Sequence, residues 1–311
     1  MMAAVFNLPT PQSTHPPQKT IIMRNRLIVI TGPTGSGKSA LAMKMAEHLG
    51  CDIISADSRQ MFREIPIGTA APSPDDQARV KHHFVGNLSI SDYYSAAQFE
   101  DDVIRLLPSL WQKSPTQILC GGSMMYIDAV TRGIDQIPTI SDDIRQHAWN
   151  IYHSGGLQQL RISLLQLDPV YYREVDLNNH KRLIHAIEIC LQAGVPYSSL
   201  RTGATKPRDF DIEFLAIDLP RDTLFDRINN RVISMIQNGL LDEARAVSHL
   251  RHLNALNTVG YKELWPYFDG LIPLDKAIEK IQRNTRVYAK KQLTWLKSRP
   301  HKSITYNPIT P

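Results

Sequence analysis

The chain has 311 residues, 42% of them hydrophobic, and a net charge of +5. That is enough for one large packed core with a smaller unit appended or inserted, and the mild positive charge suits a polyanionic partner. No apolar run reaches the length of a membrane span, and three scattered cysteines, Cys51, Cys120 and Cys190, argue against a disulfide framework or a zinc knuckle and fit a reducing cytoplasm.

Residues 1–25 are rich in Pro, Gln and Thr and read as a disordered leader rather than a secretory signal. Leu27-Ile28-Val29-Ile30 then forms the core of a first strand over 26–31. It leads into Gly32-Pro33-Thr34-Gly35-Ser36-Gly37-Lys38-Ser39, after which Leu41, Met45 and Leu49 recur at helical spacing. Strand, glycine loop and helix in that order make a phosphate-binding loop. Its backbone amides and the helix N-terminus point at an anion. Lys38 adds a positive charge and Ser39 offers a hydroxyl to Mg²⁺.

A second strand over 52–56 is followed at once by Asp57. In a doubly wound sheet the C-terminal ends of neighbouring strands meet at one crevice, so Asp57 is expected to face the phosphate loop. A carboxylate there repels a polyanion. It suits a base or hydrogen-bond acceptor for a second substrate. His82-His83 reads as a surface strand or turn, and the histidines show no metal-ligand spacing. The strand over 116–120 runs into Gly121-Gly122 without the acid that motor-type phosphate-loop ATPases place there to hold Mg²⁺.

From about 131 to 205 the texture changes to helices, at Asp142–Ile151, Gly156–Gln166 and Lys181–Gln192, punctuated by Gly155-Gly156 and Gly194-Val195-Pro196. This segment is expected to be a helical insertion in an α/β core made of 26–130 and 206–311. A strand over 213–218 follows. From Arg221 the chain is helical to near Ser298. Residues 281–299 carry Arg283, Arg286, Lys290, Lys291, Lys297 and Arg299 with no acid, and Val287, Tyr288, Leu293 and Trp295 are interleaved. That pattern fits a solvated amphipathic helix or a nucleic-acid backbone contact.

The loop and the acid alone leave a small-molecule kinase and a group transferase both open. A longer series of motifs narrows the choice. Gly32–Ser39, Asp57-Ser58-Arg59-Gln60-Met61-Phe62, Ile67-Gly68-Thr69-Ala70-Ala71-Pro72 and Gly121-Gly122-Ser123-Met124-Met125-Tyr126 come first. Lys181–Glu188, Arg231–Leu240, Thr258–Glu263, Gln282–Arg286 and Tyr288–Gln292 follow. Together they resemble the tRNA dimethylallyltransferase (tRNA isopentenyltransferase) family over about 26–299.

Strands alternating with helical stretches predict a phosphate-loop NTPase-like parallel sheet, and the resemblance implies a monomer. It implies transfer of a dimethylallyl group from dimethylallyl diphosphate to N6 of the adenosine 3′-adjacent to the anticodon, with Mg²⁺ and release of diphosphate. Asp57 is then the base. Lys38, Arg231 and the loop, Thr34 included, hold the diphosphate, and Ser39 is the protein ligand of the metal. The loop would bind a leaving group rather than necessarily a nucleoside triphosphate. Contacts to the tRNA anticodon arm would come from Asp57, Ser58, Arg59 and Gln60, and singly from Ser123 and Arg145. Lys181, Arg182, Leu183, Ile184 and His185, and then Asn257, Thr258, Val259, Gly260, Tyr261 and Lys262, would complete them.

A base stacked in a loop cannot reach a recessed carboxylate, so the adenosine is expected to flip out. Ser123 stands where the family usually has Thr, Ala71 where Lys is common, and His185 and Lys262 where Arg is frequent. These departures bear on tRNA affinity more than on chemistry. An adenylate isopentenyltransferase acting on free AMP, ADP or ATP would share the loop and the base but not the basic helical surfaces.

Overall fold

The computed structural model describes residues 24–306; the expected leader falls on residues of which all but Arg24 and Asn25 lie outside the described ones. The described strands form one parallel sheet. They are β1 (Arg26–Thr31), β2 (Ile53–Ala56), β3 (His82–His83), β4 (Thr116–Gly121), β5 (Asp211–Ile217) and β6 (Lys302–Ile304), in the order β3-β2-β4-β1-β5-β6. Inner strands of a parallel sheet are covered on both faces, which is why β1, β2 and β4 are nearly continuous apolar runs.

Alternate residues of the same strand serve different layers. Leu27, Val29, Ile54 and Leu119 face Phe99, Val103 and Leu107 of α2 (Ala96–Trp111) and Ile127 and Val130 of α3 (Met124–Arg132). Ile28, Ile30, Ile53 and Ile118 face Ala42, Met43 and Ala46 of α1 (Lys38–Leu49). The register sets Ile28 opposite Ile118 and Ala56 opposite Gly121, so the ends of β1, β2 and β4 come together at one edge.

Observed strand limits differ from the expected ones by a residue or two, most at β5, which starts at Asp211 rather than Glu213. His82-His83 is an edge strand. β6 is a strand where none was expected, three largely exposed residues whose Lys302 pairs with Glu213 of β5 at 2.6 Å.

The segment between α3 and β5 packs on a cluster of its own. In it Ala148, Leu160 and Leu164 of α4 (Asp142–Leu167) meet Leu183, Ile184 and Ile187 of α6 (His180–Ala193). A short α5 (Pro169–Glu174) lies between them in the chain, its N-terminus capped by Asp168. The two helices expected at 142–151 and 156–166 form one run, broken at Gly156 (φ 62°, ψ −154°). Buried Glu100 of α2 fastens both ends of the segment. It accepts the Ile134 amide at 3.0 Å and pairs with Lys206 at 3.0 Å and Arg208 at 2.8 Å.

After β5, α7 (Arg221–Gln237), α8 (Leu240–Ala246) and α9 (Leu274–Leu296) enclose a further cluster around Val232, Leu240, Tyr261, Leu264, Ala277 and Ile281. α9 ends at Leu296, slightly before the expected Ser298.

Candidate active site

A cavity of about 510 Å³ opens at the C-terminal ends of β1, β2 and β4, where ligands of open α/β sheets bind. Residues 32–37 cross from β1 to α1 along one wall. Gly35 (φ 83°) and Gly37 (φ 95°) take left-handed backbone angles that a side chain would resist. Gly37 is the N-cap of α1 and no side chain caps the helix, so its first amides stay available to an anion.

Lys38 begins α1 and its Nζ rests 3.5 Å from the Pro33 carbonyl. Burial lowers its pKa. Asp57 and Cys120 act the other way, and Arg231 adds to the lowering. Burial likewise lowers the pKa of Arg231, which α7 delivers to the same cavity, and Asp57 opposes the effect. Ser39 is exposed and also lines the cavity. Among the described residues no group of three or more His, Cys, Asp or Glu could hold a metal. One hydroxyl beside a phosphate site fits Mg²⁺, which takes most of its ligands from substrate oxygens and water.

Asp57 lines the cavity immediately after β2. Its Oδ1 accepts the Arg59 amide at 2.9 Å, an Asx turn that fixes the carboxylate. The Ser58 amide donates to Ser123 Oγ at 2.9 Å and the Ser123 amide to the Ala56 carbonyl at 3.1 Å, joining the ends of β2 and β4. Gln60 spends its amide on structure, accepting from Ser55 Oγ at 2.9 Å and donating to the Ala70 carbonyl at 2.9 Å. Arg59 carries a pKa lowered by burial. Tyr288 of α9 lines the same cavity, its hydroxyl pushed up to about 12 by burial and by Asp57.

Asn257, Thr258, Val259, Gly260 and Lys262 also line the cavity. The Tyr261 side chain does not; it is fully buried, its hydroxyl on Glu243 and on the Ile65 carbonyl. Arg145, Lys181, Arg182 and His185 lie off the cavity on the inserted helices. Arg145 stacks over exposed Tyr93 at 5.8 Å, and Lys181, Arg182 and His185 are exposed. Leu183 and Ile184 face the helical core, so an RNA could meet them only through their neighbours.

Residues not expected at the cavity also line it: Tyr288 and Lys291, read from the sequence as part of a basic amphipathic helix, and Gln292. Gln292 was detectable in principle. It falls at the helical spacing of the buried face of α9, between Ala289 and Leu296, where an apolar residue is the usual choice.

The sequence model of the IPP transferase family matches residues 60–299. A tRNA dimethylallyltransferase of Parabacteroides distasonis is 54% identical over 89% of this chain and 92% of its own. The chain belongs to the IPP transferase family. Another relative in it, a tRNA dimethylallyltransferase of Phocaeicola vulgatus, is 53% identical over 88% of this chain and 92% of its own. The solved tRNA isopentenylpyrophosphate transferase of Bacillus halodurans superposes with a TM-score of 0.64 at 31% identity, over 92% of this chain and 90% of that one. A eukaryotic dimethylallyltransferase, described as acting on tRNA, shares the fold at a TM-score of 0.72 and 24% identity, over 88% of this chain and 70% of that one.

Proposed function

We propose that this IPP transferase moves a dimethylallyl group from dimethylallyl diphosphate to N6 of the adenosine 3′-adjacent to the anticodon of tRNA and releases diphosphate. The observation that carries the reading is that one cavity holds a phosphate loop, two half-buried cations and a fixed carboxylate. Membership in the family of the relatives above supports the same substrates.

The adenine amine is a weak nucleophile because its lone pair is delocalised into the ring. As N6 attacks the allylic carbon, the C–O bond breaks and the electron pair leaves with the diphosphate. The amine must lose its proton. Asp57 Oδ1 is occupied by the Arg59 amide, which leaves Oδ2 for that proton. Charge grows on the bridging oxygen as the bond breaks, and the amides at the start of α1 with Lys38 and Arg231 stabilise it more in the transition state than before. Mg²⁺, held by Ser39 and the diphosphate oxygens, would supply further positive charge to the leaving group.

Gln60, Ser58 and Ser123 hold the Asp57 turn in place. The exposed cations Lys181, Arg182 and Lys262 are proposed to grip the RNA backbone. A cytoplasmic location suits the three cysteines, all free and buried, and among the described residues no helix is long and apolar enough to cross a membrane.

The test is prenyl transfer from radiolabelled dimethylallyl diphosphate with Mg²⁺, offering unmodified tRNA and AMP or ATP as parallel acceptors. Label only in tRNA, on N6 by mass spectrometry of the nucleosides, is the expected result. Label in the free nucleotide, or ATP consumed without prenyl transfer, refutes it.

A further inference from the structure

Gln292 is buried in α9, and its amide is engaged at both ends. Its Oε1 accepts the Thr34 amide of the phosphate loop at 2.8 Å, and its Nε2 donates to the Gly122 carbonyl at 2.9 Å. A side chain at Gly122 would put its Cβ 2.2 Å from that Nε2, so the glycine is what lets the amide reach. The Tyr288 hydroxyl, one helical turn earlier, donates to the same carbonyl at 3.3 Å. The next residue, Ser123, accepts the Ser58 amide beside Asp57.

A continuous chain of contacts thus runs from the phosphate loop through Gln292, Gly122 and Ser123 to the turn that holds the carboxylate. A buried primary amide with both ends satisfied fixes its two partners relative to each other. Replacing it with an apolar group leaves a loop amide and a carbonyl unpaired.

We infer that Gln292 is a positioning residue that locks the phosphate loop to the turn carrying the base, and so sets the distance between the bound diphosphate and Asp57. It touches neither reacting group. It acts by keeping the Thr34 segment from collapsing onto the anion or swinging away from it. The identity of the ligand rests on the reading above; the clamp itself does not.

Two substitutions test it. Gln292→Met keeps length and volume and removes both bonds. Gln292→Glu accepts from Thr34 but faces the Gly122 carbonyl with a second acceptor until it is protonated, when it becomes an isosteric match for glutamine. The first probe is inorganic diphosphate with Mg²⁺, followed by calorimetry. Kinetics with dimethylallyl diphosphate, tRNA affinity by filter binding and a thermal melt accompany it.

Gln292→Met is expected to weaken diphosphate binding about tenfold and to raise the donor KM, with tRNA affinity within about twofold of wild type. For Gln292→Glu, diphosphate affinity relative to wild type is expected to improve as pH falls from 8 to 6, because burial raises a carboxyl pKa and the protonated acid restores the clamp. Diphosphate binding within twofold of wild type in Gln292→Met overturns the inference. So does a loss that only follows the unfolded fraction. If Gln292→Met does not fold, a pH-independent ratio for Gln292→Glu overturns it. A wild type that binds diphosphate but prenylates no tRNA would sink the proposed function and leave this test readable.

Discussion

Asp57 brings one negative charge into a cavity that also holds Lys38, Arg59 and Arg231. If its Oδ2 takes the N6 proton, Asp57→Asn should lower prenyl transfer about 100- to 10,000-fold, the usual range for a general base. The tRNA affinity of the variant should stay within a few-fold of wild type, since Asn preserves the turn through Arg59. Turnover unchanged in a single-turnover assay would remove Asp57 as the base. Lys38 makes a separate prediction about pH. Burial holds its pKa below the ordinary lysine value, and a bound diphosphate restores it. Binding should therefore take up a proton, and affinity should fall as pH rises through the lowered value. Calorimetry in buffers of different ionisation enthalpy reads the uptake directly; Lys38→Met should abolish it together with most of the affinity.

At the scale of elements, the motifs Ile67–Ala71 and Thr258–Glu263 look unrelated in sequence but form one joint. Glu243 of α8 accepts the Ile67 and Gly68 amides at 2.7 and 2.8 Å and also the Tyr261 hydroxyl. A Cβ at Gly68 would sit 2.3 Å from that hydroxyl, a contact no real side chain tolerates. Gly68→Ala should destabilise the fold by about 1–3 kcal/mol, the cost of overpacking, seen as a lower melting temperature. The Glu100 clasp is a second such joint. Burial alone would raise its pKa, yet hydrogen bonds from Arg208, Lys206 and the Ile134 amide hold it below the ordinary carboxylate value. Its stabilisation is thus complete above the unfolded carboxyl pKa and is lost as pH falls through the depressed one. Glu100→Ala, which strands two cations, should cost about 3–5 kcal/mol near neutral pH and less in acid. Chemical denaturation at both pH values measures this. What was legible in the sequence follows the same logic. β1, β2, β4 and the phosphate loop could be read because strands buried on both faces must be apolar and a tight anion loop must be glycine-rich. β6 could not, since three exposed residues held by edge pairing leave no pattern. Nor could the clamp of Gln292, whose two partners lie 258 and 170 residues away.

Charge is a property of the whole molecule, and here its placement is unfavourable to the isolated fold. Lys181 and Arg182 occupy the first turn of α6, where the helix dipole disfavours cations by a few tenths of a kcal/mol each or more. Neither forms an ion pair among the described residues, and the same holds for Arg283, Lys290 and Lys291 on α9 and for Lys297 just past its end. These cations sit on two elements that pack on separate hydrophobic clusters, and the tRNA proposed above would have to span both to meet them. The net charge of +5 would steer such a partner but cannot locate it; the positions of these side chains supply the contacts to be tested. Binding of tRNA should therefore weaken steeply with salt. The pair Lys181→Ala, Arg182→Ala should flatten the slope of log affinity against log salt by about one for each phosphate contact removed. The same variant should bind diphosphate as wild type does, because neither residue lines the cavity. A slope equal to wild type would return both side chains to solvent and confine the RNA surface to the rim of the cavity and α9.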